Sequence, residues 1–508
     1  MALLSFLDRK RSIAGPGYSR WLVPPAALAI HLSIGQAYAF SVFKIPMSMS
    51  LGVTSPAPGD WQQGTIAHLF QVAIAFLGIS AAVFGAWLER VGPRRAMFTS
   101  AVCFSGGFFV GAAGLWTHQF WLVLLGYGVL GGIGLGLGYI SPVSTLIKWF
   151  PDRPGMATGL AIMGFGGGAL IASPLSVGLM AHFKSATSVG VAETFVALGV
   201  IYFAFMMFGV FTVRLPAPGW VPRDYVPSAH TGPLMTAAQV EVGEALRTPQ
   251  FWLLWTMLCV NVTAGIGILE QASPMIQEMF AGMVTAAVAG GFVGLLSIAN
   301  MGGRIGWSSF SDRIGRKATY GTFFLLGPIL YSIIPHAEQI KSVPLFVFCC
   351  VLILTMYGGG FATIPAYLRD LFGTMQVGAI HGRLLTAWSA AGILGPLLVN
   401  SIRQNQIDHG VAKADAYTVT MYLMAGLLVI GFVCNLLVRP VDAKHHYQSK
   451  GAGITEELKV LTPEAAAALR GTVGADTMAR IAFSWMLVGV PLAWGVWQVF
   501  VRSLALFR

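Results

Sequence analysis

Gly85-Ala86-Trp87-Leu88-Glu89-Arg90-Val91-Gly92-Pro93-Arg94-Arg95 returns later in the chain as Ser308-Ser309-Phe310-Ser311-Asp312-Arg313-Ile314-Gly315-Arg316-Lys317. Both read small-x-x-x-acid-Arg-x-Gly followed by basic residues. Each lies between two long apolar runs, so each is a tight charged turn joining two hydrophobic helices. A basic turn on one side of a membrane is ordinary. An acid, an arginine and a glycine repeated in register, at the same point of two halves, indicate a duplication. Repeats on this scale are how membrane carriers build two lobes around a shared midplane site.

The runs around these turns agree with that reading. Of 508 residues, 56% are hydrophobic and 10% charged, and the mean hydropathy is +0.71. Soluble domains carry about 25% charged residues, so most of this surface must face lipid. About 20 apolar residues cross a bilayer as helix. Thirteen segments qualify: 21–49, 65–88, 96–116, 120–147, 155–181, 194–213, 251–278, 284–309, 318–336, 343–367, 376–400, 417–438 and 480–504. The expected fold is an all-α membrane protein of two six-helix lobes plus an extra C-terminal transmembrane helix. Cys103, Cys259, Cys349, Cys350 and Cys434 all fall inside apolar runs, without metal-ligand spacing, and read as small buried hydrophobes.

Lysine and arginine set the orientation. With the N-terminus inside, the inner segments hold Arg9, Lys10, Arg11, Arg20, Arg90, Arg94, Arg95, Lys148, Arg153, Arg214, Arg223, Arg247, Arg313, Arg316, Lys317, Arg369 and Arg383, against Lys184, Lys341, Arg403 and Lys413 outside. The positive-inside rule then makes the N-terminus cytoplasmic. The formal net charge of +11 reflects this topology rather than a nucleic-acid partner. Leu3 to Leu7 is too short an apolar run for a signal peptide. Residues 1–20 form a cytoplasmic segment, 21–213 the first lobe, and 214–250 a linker holding Pro216, Pro218, Pro222, Pro227 and Pro233. Residues 251–438 form the second lobe, and 439–479 a cytoplasmic segment with a short amphipathic stretch from Glu456 to Arg470. The thirteenth helix occupies 480–508.

The repeated turn resembles that of the major facilitator superfamily, and the likeness covers roughly residues 20–440. Finer features resemble its oxalate/formate antiporter family. These are Gly132-Ile133-Gly134-Leu135-Gly136-Leu137-Gly138-Tyr139, Lys148-Trp149-Phe150-Pro151-Asp152-Arg153 and Gly164-Phe165-Gly166-Gly167-Gly168-Ala169 in the first half. The second half adds Asn300-Met301-Gly302-Gly303-Arg304, Pro365, Asp370-Leu371-Phe372-Gly373 and Leu385-Thr386-Ala387-Trp388. The resemblance implies a carrier of small carboxylates in a bacterial cytoplasmic (inner) membrane, working by alternating access as an anion antiporter. A proton-coupled monocarboxylate symporter is the alternative, since both share the architecture. The thirteenth helix departs from the family's usual twelve.

Arg304 is the leading candidate for binding. It lies eight residues before Asp312, about 12 Å into the membrane at 1.5 Å per residue. A charge at that depth costs at least ~2.5 kcal/mol and is functional by default, and its two-pronged donor fits a carboxylate. The resemblance assigns an anion-binding arginine to the same position. It also implies a helix 11 lysine in oxalate carriers, where this chain has Trp388. One full charge matches a monocarboxylate better than a dianion, as in lactate- or pyruvate-type branches with the same Leu-Thr-Ala-Trp. Tyr38, Tyr139, Phe165, Tyr357 and Phe361 match aromatic positions of the family's cavity. Aromatic residues also pack ordinary helix contacts.

Three further residues could carry protons or a gate. His31, ten residues into helix 1, could relay a proton, though a lone buried histidine also serves as a structural donor; His68 and Gln71 read the same way. Lys44 and Glu270 sit toward the outer ends of helices 1 and 7 and form a candidate outer gate, or two charges snorkelling separately. Asn300 replaces the aspartate that related proton symporters carry one turn before the arginine, and asparagine cannot titrate. Glu89 and Asp312, near Arg90, Arg94, Arg313 and Arg316, are expected to steady one conformational state. The spans hold no HExxH, GxSxG, CxxC or Walker pattern, so an enzyme is not expected. No cofactor, metal or obligate protein partner is implied. A non-transporting membrane receptor or assembly protein on the same fold is the remaining class.

Overall fold

The computed structural model describes residues 2–503, apart from 16, 219, 223–233, 237 and 449–474. The stretch from Glu456 to Arg470 lies outside the described residues. The first span, α1, runs Arg20–Ala39 and continues after a 47° bend as Ser41–Met47. It is followed by α2 (Gln63–Val91), α3 (Pro93–Trp116), α4 (Phe120–Trp149), α5 (Pro154–Phe183) and α6 (Val191–Thr212). The second lobe holds α7 (Pro249–Met279), α8 (Ala286–Ile314), α9 (Arg316–Gln339), α10 (Val343–Phe372), α11 (Val377–Asp408) and α12 (Asp415–Leu437). A last helix, α13, spans Ala475–Ser503.

Lipid cannot satisfy a free backbone N–H or C=O, so long uninterrupted helices are the forced solution for these runs. The face of the bundle that carries the N-terminus and the two repeated turns is called the basic face here, and its opposite the far face. In each repeated turn the glycine adopts a left-handed conformation, Gly92 with φ 86° and Gly315 with φ 87°. A side chain is strained there, which is why the glycine recurs in both halves.

The lobes meet along two seams, α2 against α11 and α5 against α8, while away from the seams α3 packs on α6 and α9 on α12. Helices this close need small residues. A Cβ on Gly382 would lie 2.1 Å from the Ala81 carbonyl oxygen, and one on Gly155 2.1 Å from that of Ser308. Regular helix geometry breaks in α1, α4 and α11. The end of α1 tightens to a 3-10 turn over Gly35–Ala39. The first part of α4 widens to a π turn over Leu124–Leu130, and α11 is interrupted at Leu385. Such irregular turns concentrate at functional sites.

The extra helix does not stand apart. It packs on α1, α5 and α8, and Gly495 lets it lie on α5, a Cβ there falling 2.9 Å from the Leu170 carbonyl. On α8 a Cβ at Gly294 would meet Val499 of α13 at 2.4 Å. Thus α13 occupies the gap between α5 and α8 on the far-face side, touching both lobes.

Candidate functional site

Arg304 is fully buried at the middle of the α5–α8 seam. Its Nε donates to Asn300 Oδ1 at 3.1 Å and its Nη1 to the Ile162 carbonyl at 3.2 Å, while Nη2 has no partner. The guanidinium passes so close to α5 that a Cβ on Gly166 would fall 2.8 Å from Nε. That glycine therefore makes room for the charge, a role the run Gly164-Phe165-Gly166-Gly167-Gly168 did not announce. Among the described residues no carboxylate pairs with Arg304.

An aromatic box surrounds the guanidinium. It lies 5.3 Å from the Phe361 ring and 5.9 Å from Phe165, within cation–π range. Trp388 closes the box, its ring 4.6 Å from Phe361 and 5.2 Å from both Phe165 and Tyr139. The Tyr38 hydroxyl lies 3.2 Å from that of Tyr357, joining the lobes. The structure thus brings Arg304, Tyr38, Tyr139, Phe165, Tyr357, Phe361 and Trp388 into one cluster drawn from six helices. Arg304 Nη2, Trp388 Nε1 and the Tyr139 hydroxyl are buried there without hydrogen-bond partners. Buried donors are almost always satisfied, and an anionic acceptor would answer all three. Tyr38 is half-buried and also lines a crevice of about 160 Å³ between α1, α5, α8 and α13. The Tyr38–Tyr357 pair therefore stands between the box and the far face.

His31 and a residue missed at the sequence level, His381, lie beside the box toward the basic face. The His31 ring is 5.4 Å from Tyr139, and His381 is 5.9 Å from the same ring. His381 precedes Trp388 by seven residues, a spacing that in an unbroken helix puts both on one face. That spacing was the available signal. His68 is exposed beside the Thr65 carbonyl, and Gln71 is half-buried; neither reaches the cluster.

On the basic face the two repeated acids do something the expected arginine neighbours did not suggest. Asp312, ending α8, accepts from the Gly155 and Met156 amides of α5, both at 2.8 Å. Glu89, ending α2, accepts from the Gly378 amide of α11 at 3.1 Å. Each acid caps the first turn of a helix in the opposite lobe, where the helix dipole favours a negative charge. Lys148 braces Glu89 at 2.8 Å, and Arg316 braces Asp312 at 2.6 Å. Arg94 instead donates to backbone carbonyls, including Phe6 at 2.8 Å, and Arg90 and Arg313 are exposed. The basic face is therefore shut.

The far face carries no comparable bridge among the described residues. Arg403 and the Tyr417 hydroxyl hold Glu278, at 2.5 and 2.8 Å, all within one lobe. Lys44 is half-buried, and the Glu270 side chain lies outside the described residues, so the expected Lys44–Glu270 pairing lies outside them as well.

Known proteins agree with this architecture. The sequence pattern of the Major Facilitator Superfamily matches residues 26–396 and again 307–507. The oxalate:formate antiporter of Oxalobacter formigenes is 27% identical over 76% of this chain and 86% of its own length. The apicoplast pyruvate carrier 1 of Toxoplasma gondii is 23% identical over 78% and 80%, and the human monocarboxylate transporter 11 is 24% identical over 82% and 83%. Among solved structures, the transporter FucP in its outward conformation superposes with a TM-score of 0.59 at 14% identity, over 82% of this chain and 99% of that one. The family pattern covers both halves of the duplication, and the chain is a multi-pass membrane transporter, not an enzyme, belonging to the Major Facilitator Superfamily.

Proposed function

We propose that the protein moves a small monocarboxylate, of the formate, lactate or pyruvate type, by alternating access in exchange for a second anion. The observation that carries this reading is Arg304, a fully buried guanidinium whose Nη2 has no partner and with which, among the described residues, no acid pairs. A carboxylate bridging Nη2, the Tyr139 hydroxyl and Trp388 Nε1 would satisfy all three donors at once, and the apolar rings would wrap a short carbon chain. With Trp388 where a second cation would stand, one charge matches one carboxylate, although oxalate remains within the substrate class to be assayed.

Exchange follows from the same charge. An empty site leaves Arg304 uncompensated in a dry core, and crossing in that state is costly. A loaded site is neutralised and reorients readily. The repeated acids hold the basic face closed until a bound anion favours its opening, and the N-terminus reads as cytoplasmic in a bacterial inner membrane.

The test is uptake of labelled lactate, formate and oxalate into liposomes holding the purified protein, each preloaded in turn with an unlabelled anion. Uptake that requires an internal counter-anion, and vanishes in Arg304→Gln, is the expected result. Undiminished uptake in Arg304→Gln would overturn the proposed site, and uptake indifferent to internal anion would overturn exchange.

A further inference from the structure

The crevice of about 160 Å³ on the far-face side shares Tyr38 with the aromatic box, where the Tyr38 ring lies 5.0 Å from Phe165. Its other polar lining is Ser41 of α1, Ser173 of α5, Ser297 of α8 and Gln498 of α13, and no lining residue is charged. Residues seven apart in a continuous helix return to one face, about 10 Å along the axis. Ser297 precedes Arg304 by seven residues in α8, and Ser173 follows Gly166 by seven in α5. Both serines therefore stand toward the far face on the helix faces that hold the guanidinium. Gln498 reaches the same level from α13, where Val499 meets Gly294 of α8 and Gly495 meets Leu170 of α5. The lipid side of α13 is apolar, with Val490, Trp494, Trp497 and Val501 exposed. Gln498 is half-buried, and its amide has no hydrogen-bond partner among the described residues. An unpaired amide is costly in hydrocarbon, so this one belongs to water or to a ligand in the crevice. The Ser41 and Ser173 hydroxyls are likewise without partners among the described residues, whereas Ser297 donates to the Val293 carbonyl at 3.1 Å. We infer that the crevice is an outer docking site for the carboxylate, where the Gln498 amide and the Ser41 and Ser173 hydroxyls hold the anion before Arg304 takes it.

The chemistry of the crevice suits a place of passage. Neutral donors replace part of an anion's hydration, but without a cation they hold it more weakly than a guanidinium does. The anion is thus released toward Arg304 rather than stalled above it. Water occupies about 30 Å³ per molecule in the liquid, so the crevice admits several waters or one small carboxylate. Tyr38 forms the floor, its hydroxyl 3.2 Å from that of Tyr357 across the lobes, and parting of that pair joins the outer site to the box. The extra helix supplies the fourth wall. Without α13 the gap between α5 and α8 would open sideways on acyl chains, which offer an anion no hydrogen bond. α13 therefore keeps an anion route wet and lines it with its own amide, which makes Gln498 a positioning residue for the substrate.

This inference rests on the carboxylate reading of Arg304, and the experiment separates the two. The full chain, its native cysteines replaced, is reconstituted in liposomes with Ser297→Cys as reporter and the far face outside. A membrane-impermeant methanethiosulfonate then labels the thiol with and without external formate or L-lactate. A thiol reacts as its thiolate in water, so Ser297→Cys should be labelled at least about tenfold faster than the lipid-facing control Val490→Cys. Either carboxylate should slow the labelling. Gln498→Met keeps the side-chain length without the donor, and should raise the concentration needed for protection about three- to tenfold, the usual strength of one hydrogen bond. Protection should persist at raised concentration in Arg304→Gln, because the outer site has donors of its own. Labelling no faster than at Val490→Cys would show a dry crevice and overturn the outer site. Protection unchanged by Gln498→Met would overturn the role of Gln498. Protection abolished by Arg304→Gln would assign it to closure around the inner site and overturn local docking. These three outcomes leave the reading of Arg304 standing, whereas absence of carboxylate exchange by the unmodified protein would sink that reading and the outer site with it.

Discussion

Asp312→Ala removes two hydrogen bonds that tie the lobes together on the basic face. The acid accepts from the Gly155 and Met156 amides of α5, each at 2.8 Å. A hydrogen bond to a charged group contributes about 1.5–3 kcal/mol net, and a helix N-cap about 0.5–2 kcal/mol. When the lobes part, water takes over the α5 amides and Arg316 retains the carboxylate, so the low end of these ranges applies. The pair then contributes about 2–3 kcal/mol to the closed basic face. At about 1.4 kcal/mol per decade this is a roughly 30- to 150-fold shift toward the open basic face. A population about 1% open in the parent would become about half open after a hundredfold shift. Asp312→Asn keeps a neutral acceptor and is expected to shift the balance by only about fivefold, roughly 1 kcal/mol. Glu89→Gln, which weakens a single amide contact of 3.1 Å, should act similarly. Spin labels at Arg95 and Arg313, both exposed on the basic face and in opposite lobes, report the separation by pulsed dipolar spectroscopy once the native cysteines are replaced. A new long-distance population in Asp312→Ala, smaller in Asp312→Asn, is expected. An unchanged distance distribution in a folded Asp312→Ala protein would refute the reasoning.

Two further outcomes follow from the packing. Trp388→Lys returns a second cation to the box, so oxalate should compete with labelled lactate at least about tenfold better than in the parent, by the usual strength of a charge-assisted contact; competition in liposomes measures it. Gly495→Leu drives a side chain into the Leu170 backbone, 2.9 Å from its would-be Cβ, an overpacking of about 1–3 kcal/mol. Displacing α13 unblocks the far-face gap between α5 and α8, so the same spin-label pair should report a several-fold rise of the state open on the basic face.

Much of the molecule could be read along the chain because hydropathy and charge are local properties. Each span is an apolar run long enough to cross lipid, whatever it later touches. The duplicated turn is visible because its glycine must adopt the same left-handed conformation in both halves. Arg304 stood out by depth alone, since an ion in hydrocarbon needs a reason that no neighbouring sequence supplied. Partner choice was not legible in the same way. Glu89 and Asp312 carry arginines beside them in sequence, yet they cap amides of the opposite lobe, because helix N-termini separated by hundreds of residues meet only when the bundle closes. His381 joins His31 through Tyr139 for the same reason. The α13 run predicted a span but not its place, which follows from the width left between α5 and α8 when the basic face is shut. The sequence by itself determined the number of spans, the charged turns and the buried cation; the crossing of helices decided which polar groups face one another, because distance across a bundle is not encoded in distance along the chain.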